Sequence, residues 1–550
     1  MTPSDPQAQP RGLLLPRPTL TPLALNLIVM VWLMAVPNAG FWSRLTSVFA
    51  GQPLAMVGFA GAVAALCLFM LSVVSLPVVH RPLLALLIVT AAVADHFQRS
   101  YGVLIDREMI QNAMLTTQAE SKHLFTPAFI RDLVLWGLIP AALVFWPRLR
   151  QAPWRHRLWR YPLAIVVSRA LLAGLLAADF KTYSAAVREH RDMMGSWQPG
   201  ATVAALTRYA KLRFLTSNIV AAPLGRDAKP GAMLAAAGKP VLLVVYAGET
   251  ARSANFGLDG YARDTTPELA AMPDIINFPE TWSCGTSTAV SLPCMFSALP
   301  QADYSQKRGL SQENLVDILG HAGLTVEWID NNTGDQGIAA RAKVSRVDAT
   351  IDPSACAKGE CTDAAFLPII RRTMETMTGP TVLVLHMIGS HGPAYYLRYP
   401  DEAETFTPAC NSAAFADCTT DQIVNAYDNS IRYTDHILAE SIRLMAGQDR
   451  VIPAMIFMSD HGESLGEGGL YLHAAPMFMA PDTQRKVPFV MWMSEAFQTT
   501  LGVSRDCIAA KAAQPTSHDA LFHSVLGLLD IQTEVRDPAL DLTADCRPHA

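Results

Sequence analysis

The sequence carries little charge, and its net charge is weak. Asp, Glu, Lys and Arg make up 17% of its 550 residues, and the formal net charge is −5. Proteins that bind nucleic acid concentrate Lys and Arg on one face, so this composition argues against nucleic acid as the main partner. The sequence also lacks internal repeats and long low-complexity tracts. Its length predicts at least two domains.

Cysteine is nearly missing from the first half of the chain. Cys67 lies in an apolar run, and the other eight cysteines all follow residue 280. Their spacing suggests three short loops and one remaining pair, which are Cys284/Cys294, Cys356/Cys361, Cys410/Cys418 and Cys507/Cys546. Such short-range pairs are typical of an oxidising compartment, although spacing alone does not fix the connectivity. No C-x2-C pair occurs, which disfavours a zinc finger.

Apolar residues are concentrated in the first third of the chain. A helix needs about 20 mainly apolar residues to cross a bilayer, and five stretches are candidates. They are roughly Pro22–Trp42, Leu54–Val79, Pro82–Ala94, Leu133–Trp146 and Tyr161–Ala178. The third and fourth are short, and the fifth contains Arg169, which is costly in lipid unless it faces protein.

A cluster of basic residues between the last two stretches indicates the topology. The cluster is Arg148, Arg150, Arg155, His156, Arg157 and Arg160. Cytoplasmic loops collect Lys and Arg, so this loop is expected inside. If the N-terminus is also inside, the third stretch must cross the membrane. Five spans then place everything after residue 180 outside, where the paired cysteines are also expected.

The loop between the third and fourth stretches contains a polar helical pattern near residues 106–122. Asn112, Thr116 and Glu120 are spaced i, i+4, i+8, which places them on one face of a helix. One interpretation is the solvated face of an interfacial amphipathic helix. The other is a polar face that covers a site at the membrane surface.

Short apolar runs separated by helical stretches follow from about residue 240. They are Val241–Tyr246, Thr381–Leu385 and Ile452–Met458. This alternation predicts an α/β domain with a mainly parallel central sheet. We therefore expect a membrane domain over residues 1–180, a bridging linker over 181–236 and a soluble domain over 237–550.

Metal-ligating side chains follow each of these three apolar runs. They are Glu249 after the first, His386 and His391 after the second, Asp460 and His461 after the third, and His473 shortly beyond. Ligands bind at the carboxyl ends of strands in open α/β sheets, and these side chains suit zinc or manganese. A single such residue could equally be a turn or a helix cap. Three strand endings of this kind favour a metal site.

An uncharged hydroxyl cluster lies between two cysteines in the segment Trp282–Cys294. Its members are Thr286, Ser287, Thr288 and Ser291, bracketed by Cys284 and Cys294. The segment could be an ordinary disulfide-closed loop, or it could present an oxygen nucleophile. A divalent metal makes a hydroxyl more acidic and neutralises charge on a phosphate oxygen. Beside a metal site, the cluster therefore predicts phosphoryl transfer.

Five motifs carry a resemblance to a known family. They are Gly248–Arg252, Asn255–Tyr261, Cys284–Thr288, His391–Tyr395 and Ser459–Gly466. Together they resemble the lipid A phosphoethanolamine transferases of Gram-negative inner membranes, which include the mobile colistin-resistance enzymes. The resemblance covers nearly the whole chain. It implies a five-helix transmembrane domain, a periplasmic α/β domain of the alkaline-phosphatase/sulfatase type and a multi-pass protein of the bacterial inner membrane.

The resemblance also implies roles for individual residues. Thr288 matches the nucleophile that becomes modified with phosphoethanolamine. Glu249, Asp460 and His461 match the ligands of one zinc ion, with the Thr288 oxygen as the fourth. A Cys284–Cys294 disulfide would close a loop of about ten residues, worth roughly 2–3 kcal/mol, and is expected to hold Thr288 at the metal.

Further positions match substrate contacts of the family. They are Asn112, Thr116 and Glu120 for the ethanolamine-bearing donor, Thr333 near the transferred group, and His391 and His473 for the substrate or a second zinc ion. Gln336 stands where several relatives have lysine, so a charge contact to phosphate is missing. This difference puts the acceptor in doubt, but not the chemistry.

The expected reaction has two steps. Thr288 attacks phosphatidylethanolamine and releases diacylglycerol, and a lipid A phosphate then takes the group. The added ammonium would reduce the attraction of cationic peptides such as polymyxin to lipid A. The protein is expected to act as a monomer. The alternatives are a lipoteichoic-acid-synthase-like or other transferase that acts on core sugar or periplasmic glucan, and an inactive membrane scaffold. A sulfatase is disfavoured because the C/S-x-P-x-R motif is missing at Cys294.

Overall fold

The structure divides into two compact units. It is a computed structural model that describes residues 17–76, 78–116, 118–150, 153–357 and 359–547. The helical unit comprises Met1–His96 and Phe129–Thr202, and the α/β unit comprises Phe97–Ala128 and Val203–Ala550. The functional domain boundaries near residues 180 and 236 stay a prediction.

The helical unit consists of apolar helices around a core of its own. Its first helix begins where the Thr21 hydroxyl accepts a hydrogen bond from the Ala24 N–H, and Pro22 fills the first position, where an N–H would have no helical partner. Its α-helices are Pro22–Ala35, Ala39–Val48, Pro53–Val73, His80–Tyr101 (which continues into the α/β unit), Pro127–Asp132, Ile139–Leu143, Trp154–Ala178, Phe180–Glu189 and Arg191–Gly195. Thr19–Leu20 and Arg148–Leu149 form a short parallel pair.

Three described helices are long and apolar enough to cross a membrane. They are Pro53–Val73, His80–Tyr101 and the Trp159–Ala178 part of the last long helix. The pair Pro22–Ala35 and Ala39–Val48, bent by 70°, would make a fourth. The predicted fourth stretch is not one regular α-helix. A π-helical turn at Leu133–Leu138 separates the short α-helices Pro127–Asp132 and Ile139–Leu143. The turn lies just before Pro140, which has no N–H to donate to the helix. The five-span count therefore stays a prediction.

The α/β unit is built on a seven-stranded sheet. In chain order its strands are β1 (Val241–Gly248), β2 (Ile276–Asn277), β3 (Thr325–Asp330), β4 (Lys343–Arg346), β5 (Thr381–His386), β6 (Ile452–Ser459) and β7 (Phe489–Met493). Their spatial order is β2-β7-β6-β1-β5-β3-β4. The five strands from β6 to β4 pair in parallel, as the sequence predicts, whereas β7 and β2 add an antiparallel edge.

Helices and short strands make up the rest of the regular structure of this unit. The α-helices are Arg107–Leu115, Gln118–His123, Gly200–Thr216, Ala232–Ala235, Pro267–Ala270, Thr288–Met295, Gln306–Leu310, Leu315–His321, Phe366–Thr376, Thr420–Ala446, Asp482–Arg485, Glu495–Leu501, Arg505–Lys511 and Asp519–Leu528. The short strand groups are Lys229–Pro230 with Ile531–Gln532; Thr281–Trp282 with Lys486–Val487 and Thr516–Ser517; Cys356–Ala357 with Glu360–Cys361; and Ser464–Leu465 with Tyr471–Leu472. A capping box of Thr419 and Gln422 starts the longest helix.

The sheet register aligns the carboxyl ends of the parallel strands. Ser459 of β6 pairs with Gly248 of β1, and His386 of β5 pairs with both Ala247 and Asp330. Every residue of β1, β5 and β6 is buried, so apolar packing specifies this register. The residues that follow these strands therefore emerge side by side at one edge of the sheet.

Four disulfides join the eight cysteines that follow residue 280. They are Cys284–Cys294, Cys356–Cys361, Cys410–Cys418 and Cys507–Cys546. Cys67 remains free and buried. The first three close loops of only 5 to 10 residues in sequence separation, so each stiffens one local turn.

The segment Phe97–Ala128 packs against the rest of the α/β unit. The Tyr101 hydroxyl donates a hydrogen bond of 3.2 Å to the Ala413 carbonyl, inside the loop closed by Cys410–Cys418. Gly102 has a φ of +71°, and a Cβ there would lie 2.3 Å from the Gly469 carbonyl oxygen. Glycine therefore permits a close approach of two backbones at this point.

Candidate active site

Two carboxylates and an imidazole meet at the aligned strand ends. Glu249 directly follows β1, and Asp460 and His461 directly follow β6. One ligand atom from each lies within 4.8 Å of the others, and at most 1% of each residue is exposed. We call Glu249, Asp460 and His461 the acidic cluster. The register of β1 against β6 creates it.

The hydrogen bonds of the acidic cluster leave ligand atoms available for a cation. Asp460 Oδ1 accepts the backbone N–H groups of Thr250 and His461, whereas Asp460 Oδ2 is buried with no hydrogen-bond partner. His461 Nδ1 lies 2.9 Å from the Gly462 carbonyl, which requires an N–H there, so Nε2 presents its lone pair to the cluster. The donor set fits zinc, which favours oxygen and nitrogen ligands of this kind.

Electrostatics also favour a cation at this position. Burial raises the pKa of the Asp460 carboxyl to about 6 and lowers the pKa of the His461 imidazole to about 4. Burial raises the pKa of nearby Glu463 well above its usual range. Ionised carboxylates are thus unfavourable here without a positive partner, and a divalent cation would supply one.

The Thr288 hydroxyl lies against the acidic cluster. Thr288 is the first residue of helix Thr288–Met295, and its Oγ1 lies 3.1 Å from Glu249 Oε2 and 3.2 Å from His461 Nε2. The residue is 7% exposed. Of the four hydroxyls in the cysteine-bracketed segment, this one therefore faces a site where a metal could activate it.

The segment before Thr288 is fastened to the end of β6. The Ser283 hydroxyl lies 2.6 Å from the Asp460 carbonyl, and the Thr286 hydroxyl donates to the Ala475 carbonyl at 2.7 Å. The Cys284–Cys294 disulfide joins the start of the segment to the helix that Thr288 begins. Together these contacts fix the position of Thr288.

Asn332 orients the carboxylate of Glu249. Its Nδ2 donates to Glu249 Oε2 at 2.7 Å and to the Met387 carbonyl at 2.8 Å. Thr250, the residue after Glu249, has a φ of +58° and donates a short hydrogen bond from its hydroxyl to Glu249 Oε1. An uncommon backbone conformation at this point indicates that the surrounding contacts hold Glu249 firmly.

His386 stands behind the acidic cluster. Its Nδ1 lies 2.8 Å from Asp330 Oδ1, and its Nε2 lies 4.0 Å from Glu249 Oε2. The sequence places His386 among the candidate ligands of the strand ends. The structure shows that it forms a layer behind Glu249 instead, because the ring is turned toward Asp330 of β3.

His473 lies beside the acidic cluster, and His391 lies next to His473. The His473 ring centre is 4.5 Å from that of His461 and 5.4 Å from that of His391. His473 Nδ1 lies 3.2 Å from Glu463 Oε2. These contacts bring the second group of predicted site residues next to the first.

A chain of polar contacts anchors the loop that carries His391. Arg398 Nε donates to the His391 carbonyl at 2.8 Å, and Arg398 Nη1 lies 3.0 Å from Glu360 Oε2. Glu360 Oε1 lies 3.4 Å from His123 Nε2 of the segment Phe97–Ala128. Glu360 precedes Cys361, so the Cys356–Cys361 disulfide stiffens the segment that carries Glu360, the residue in the middle of this series of contacts.

The predicted single helix near residues 106–122 is wrong. The first helix in this region is Arg107–Leu115. It ends at Leu115 because the backbone of Thr116 is extended (ψ 133°) and the Thr116 hydroxyl donates a hydrogen bond back to the Asn112 carbonyl. A second helix, Gln118–His123, follows. Asn112 and Thr116 are both partly exposed, whereas the side chain of Glu120 lies outside the described residues.

Thr333 and Gln336 bond to each other. Gln336 Nε2 lies 3.2 Å from the Thr333 carbonyl and 3.3 Å from its hydroxyl. The turn that contains them has a φ of +50° at Gln336. The neighbouring residue, Asn332, is the one that contacts the acidic cluster.

Comparisons with known proteins identify the family. Family models match over residues 63–214 (phosphoethanolamine transferase EptA/EptB) and 241–531 (sulfatase). The chain is 36% identical to phosphoethanolamine transferase EptA of Salmonella typhimurium, across 97% of this chain and 98% of that protein. It is 32% identical to phosphatidylethanolamine transferase Mcr-1 of Escherichia coli, across 96% and 98%. The chain belongs to the phosphoethanolamine transferase family.

The fold of this transferase agrees with the family throughout. The integral membrane lipooligosaccharide phosphoethanolamine transferase A of Neisseria meningitidis superposes with a TM-score of 0.91 at 33% identity, and the match covers 97% of this chain and 100% of that one. The predicted resemblance is thus confirmed. The predicted combination of a helical membrane region with a sulfatase-like α/β domain is confirmed as well.

Sequence reasoning missed several site residues of the transferase. They are Asn332, Glu360, Arg398 and Glu463. Asn332 lies just after β3. Thr325 and Glu327 interrupt the apolar run of β3, so the sequence did not mark β3 as a buried strand or Asn332 as a strand-end residue. Glu463 lies in the Ser459–Gly466 motif, so the sequence places it near the predicted site. Its hydrogen bond to His473 depends on tertiary structure, and no sequence pattern indicates it.

Replacing Asn332 should weaken metal binding. Removal of a hydrogen-bond partner behind a metal ligand typically costs about 10–100-fold in affinity or activity. We expect Asn332→Ala to lower zinc affinity by that amount, measured by competition with a chromophoric chelator. Asn411→Ala, at an exposed position, is the matched control. Equal zinc affinity in both variants would contradict the assigned role of Asn332.

Replacing Arg398 should affect activity more than metal content. Arg398→Lys keeps the charge but cannot reproduce both the Nε bond to His391 and the Nη1 contact to Glu360. Small displacements of positioning groups cost up to about a hundredfold in rate. We expect a drop of roughly tenfold or more in transfer activity, while elemental analysis finds an unchanged metal content. Normal activity would show that the contact chain does not position His391.

Proposed function

We propose that this transferase moves phosphoethanolamine from phosphatidylethanolamine to lipid A through a covalent intermediate on Thr288. The observation that carries the proposal is the contact of the Thr288 hydroxyl with Glu249 and His461, next to the Asp460 oxygen that accepts no hydrogen bond. Family membership supports the transferred group, since EptA and Mcr-1 are named for phosphoethanolamine or phosphatidylethanolamine transfer.

Glu249, Asp460 and His461 would hold one zinc ion together with the Thr288 oxygen. When bound, zinc makes a hydroxyl more acidic and neutralises charge on a phosphate group. The protein contributes the orientation. Asn332 fixes Glu249, two backbone N–H groups fix Asp460, and the Gly462 carbonyl fixes the tautomer of His461.

In the first step, the Thr288 oxygen attacks the phosphorus of phosphatidylethanolamine. A bond forms between Thr288 Oγ1 and phosphorus, and the bond from phosphorus to the glycerol oxygen breaks. Thr288 loses its hydroxyl proton and the glycerol oxygen gains one, so the leaving group is neutral diacylglycerol. We assign His391 and His473 to contacts with the substrate, because the His473 ring adjoins His461 and the His391 ring adjoins His473.

In the second step, a phosphate oxygen of lipid A attacks the same phosphorus. A bond forms between that oxygen and phosphorus, the bond from Thr288 Oγ1 to phosphorus breaks, and the threonine oxygen gains the proton that the attacking phosphate hydroxyl loses. The product gains an ammonium group, which offsets phosphate charge and should lower the attraction of polymyxin-like cationic peptides. Gln336 adds no charge near Thr333, so core sugar or periplasmic glucan is the alternative acceptor.

The proposed setting is the bacterial inner membrane, with the α/β unit in the periplasm. Three to four apolar helices and four disulfides support this location. In functional terms we assign residues 1–180 to membrane insertion, 181–236 to a bridge and 237–550 to catalysis by a monomer. Asn112, Thr116, Glu120 and Thr333 are proposed to hold the ethanolamine-bearing donor.

Replacing Thr288 should abolish transfer without loss of the fold. Thr288→Ala removes the proposed nucleophile but keeps Glu249, Asp460 and His461, so zinc should still bind. Thr288→Ser retains a hydroxyl and is the matched control, with partial activity expected. The measurement is mass spectrometry of lipid A from cells that express each variant. Modified lipid A in the alanine variant would refute the nucleophile, and modification only on core sugar or glucan would redirect the acceptor.

A further inference from the structure

Asp363 is a buried carboxylate that holds the loop after β5. It is 4% exposed. Its Oδ1 accepts a hydrogen bond of 3.0 Å from the Ile388 N–H, and its Oδ2 accepts one of 2.9 Å from the Gly389 N–H. A buried carboxylate is unfavourable unless hydrogen bonds satisfy it, and here consecutive backbone groups of one loop do so. Asp363 therefore restrains this loop at two adjacent residues.

The loop that Asp363 restrains packs against the backbone of Glu249. The Ser390 N–H donates a hydrogen bond of 3.1 Å to the Glu249 carbonyl. Gly389 has a φ of +49°, and a Cβ there would lie 2.5 Å from the same carbonyl oxygen. Glycine thus permits this close approach of two backbones. Because the contact is so close, a shift of the loop would move Glu249 as well.

Asp363 is also joined to the turn after β3, which holds the side chain of Glu249. Asn331 Nδ2 donates to Asp363 Oδ1 at 2.8 Å and to the Cys361 carbonyl at 3.0 Å. The next residue, Asn332, donates to Glu249 Oε2 at 2.7 Å. Asp363 thus connects the two segments that contact Glu249, one at its backbone and one at its carboxylate.

We infer that Asp363 is a positioning residue for the metal ligand Glu249. The inference rests on the proposed function in that it takes Glu249 as a zinc ligand. An ionised carboxylate accepts hydrogen bonds at both oxygens, whereas an amide of the same shape accepts at one position and donates at the other. The substitution Asp363→Asn would therefore leave one of the two loop N–H groups facing another donor. The loop should move, and Glu249 with it.

Asp435 is a matched control with the same kind of hydrogen bonding. It is fully buried, and its Oδ2 and Oδ1 accept the N–H groups of Glu268 at 2.9 Å and Leu269 at 3.0 Å. These two donors belong to the short helix Pro267–Ala270, not to the loop after β5. Asp435→Asn should therefore cost stability as Asp363→Asn does, without moving Glu249.

Zinc titration of the metal-stripped, full-length protein tests the inference. Zinc affinity is measured by competition with a chromophoric chelator, and stability by the midpoint of thermal unfolding. We expect Asp363→Asn to lower zinc affinity about tenfold, the size of effect that groups behind a metal ligand typically have. Asp435→Asn should lower the unfolding midpoint but keep the zinc affinity of the wild type. Asn331→Ala removes only the support of Asp363 and should cause a smaller loss of affinity.

The comparison of the variants decides the role of Asp363. Equal zinc affinity of Asp363→Asn and Asp435→Asn would overturn the inference. If Asp363→Asn does not fold, wild-type zinc affinity in Asn331→Ala would overturn it. At saturating zinc, Asp363→Asn should still transfer phosphoethanolamine more slowly, because the same loop carries His391. A wild-type protein that binds zinc without any transfer would refute the proposed function alone, since the zinc affinities would still decide the role of Asp363.

Discussion

The structure depends on the cost of burying negative charge at the end of a parallel sheet. Glu249 and Asp460 are almost completely buried, and one oxygen of Asp460 has no hydrogen-bond partner. Such an arrangement is unfavourable unless a cation joins it. The alignment of β1 with β6 creates this constraint. The helix that Thr288 begins, the Asn332 contact and the His391 loop are all arranged around it.

Distant parts of the chain meet at Thr288. Glu249 is 39 residues away in sequence and His461 is 173 residues away, yet both lie within 3.4 Å of the Thr288 hydroxyl. A flexible loop could not hold such a contact. The Cys284–Cys294 disulfide and the Ser283 bond to the Asp460 carbonyl restrict the segment, so the hydroxyl is positioned before a substrate arrives.

Much of this site could be predicted because strong local patterns encode it. Continuous apolar runs marked β1, β5 and β6, and the polar residues that directly follow β1 and β6 are the ones that form the acidic cluster. The helix break at Thr116 was missed because it depends on one backbone turn and a hydroxyl bond. The antiparallel edge of the sheet and the chain from Arg398 to Glu360 depend on tertiary pairing, which leaves no periodic signal in the sequence.

The central claim is that Thr288 carries the transferred group. The most direct measurement is intact-protein and peptide mass spectrometry after the purified zinc-loaded transferase is incubated with phosphatidylethanolamine and no acceptor. The account predicts phosphoethanolamine on the peptide that contains Thr288, with release of an equal amount of diacylglycerol and loss of the label when lipid A is added. Diacylglycerol release without any modification of Thr288, or modification of another residue, would contradict it.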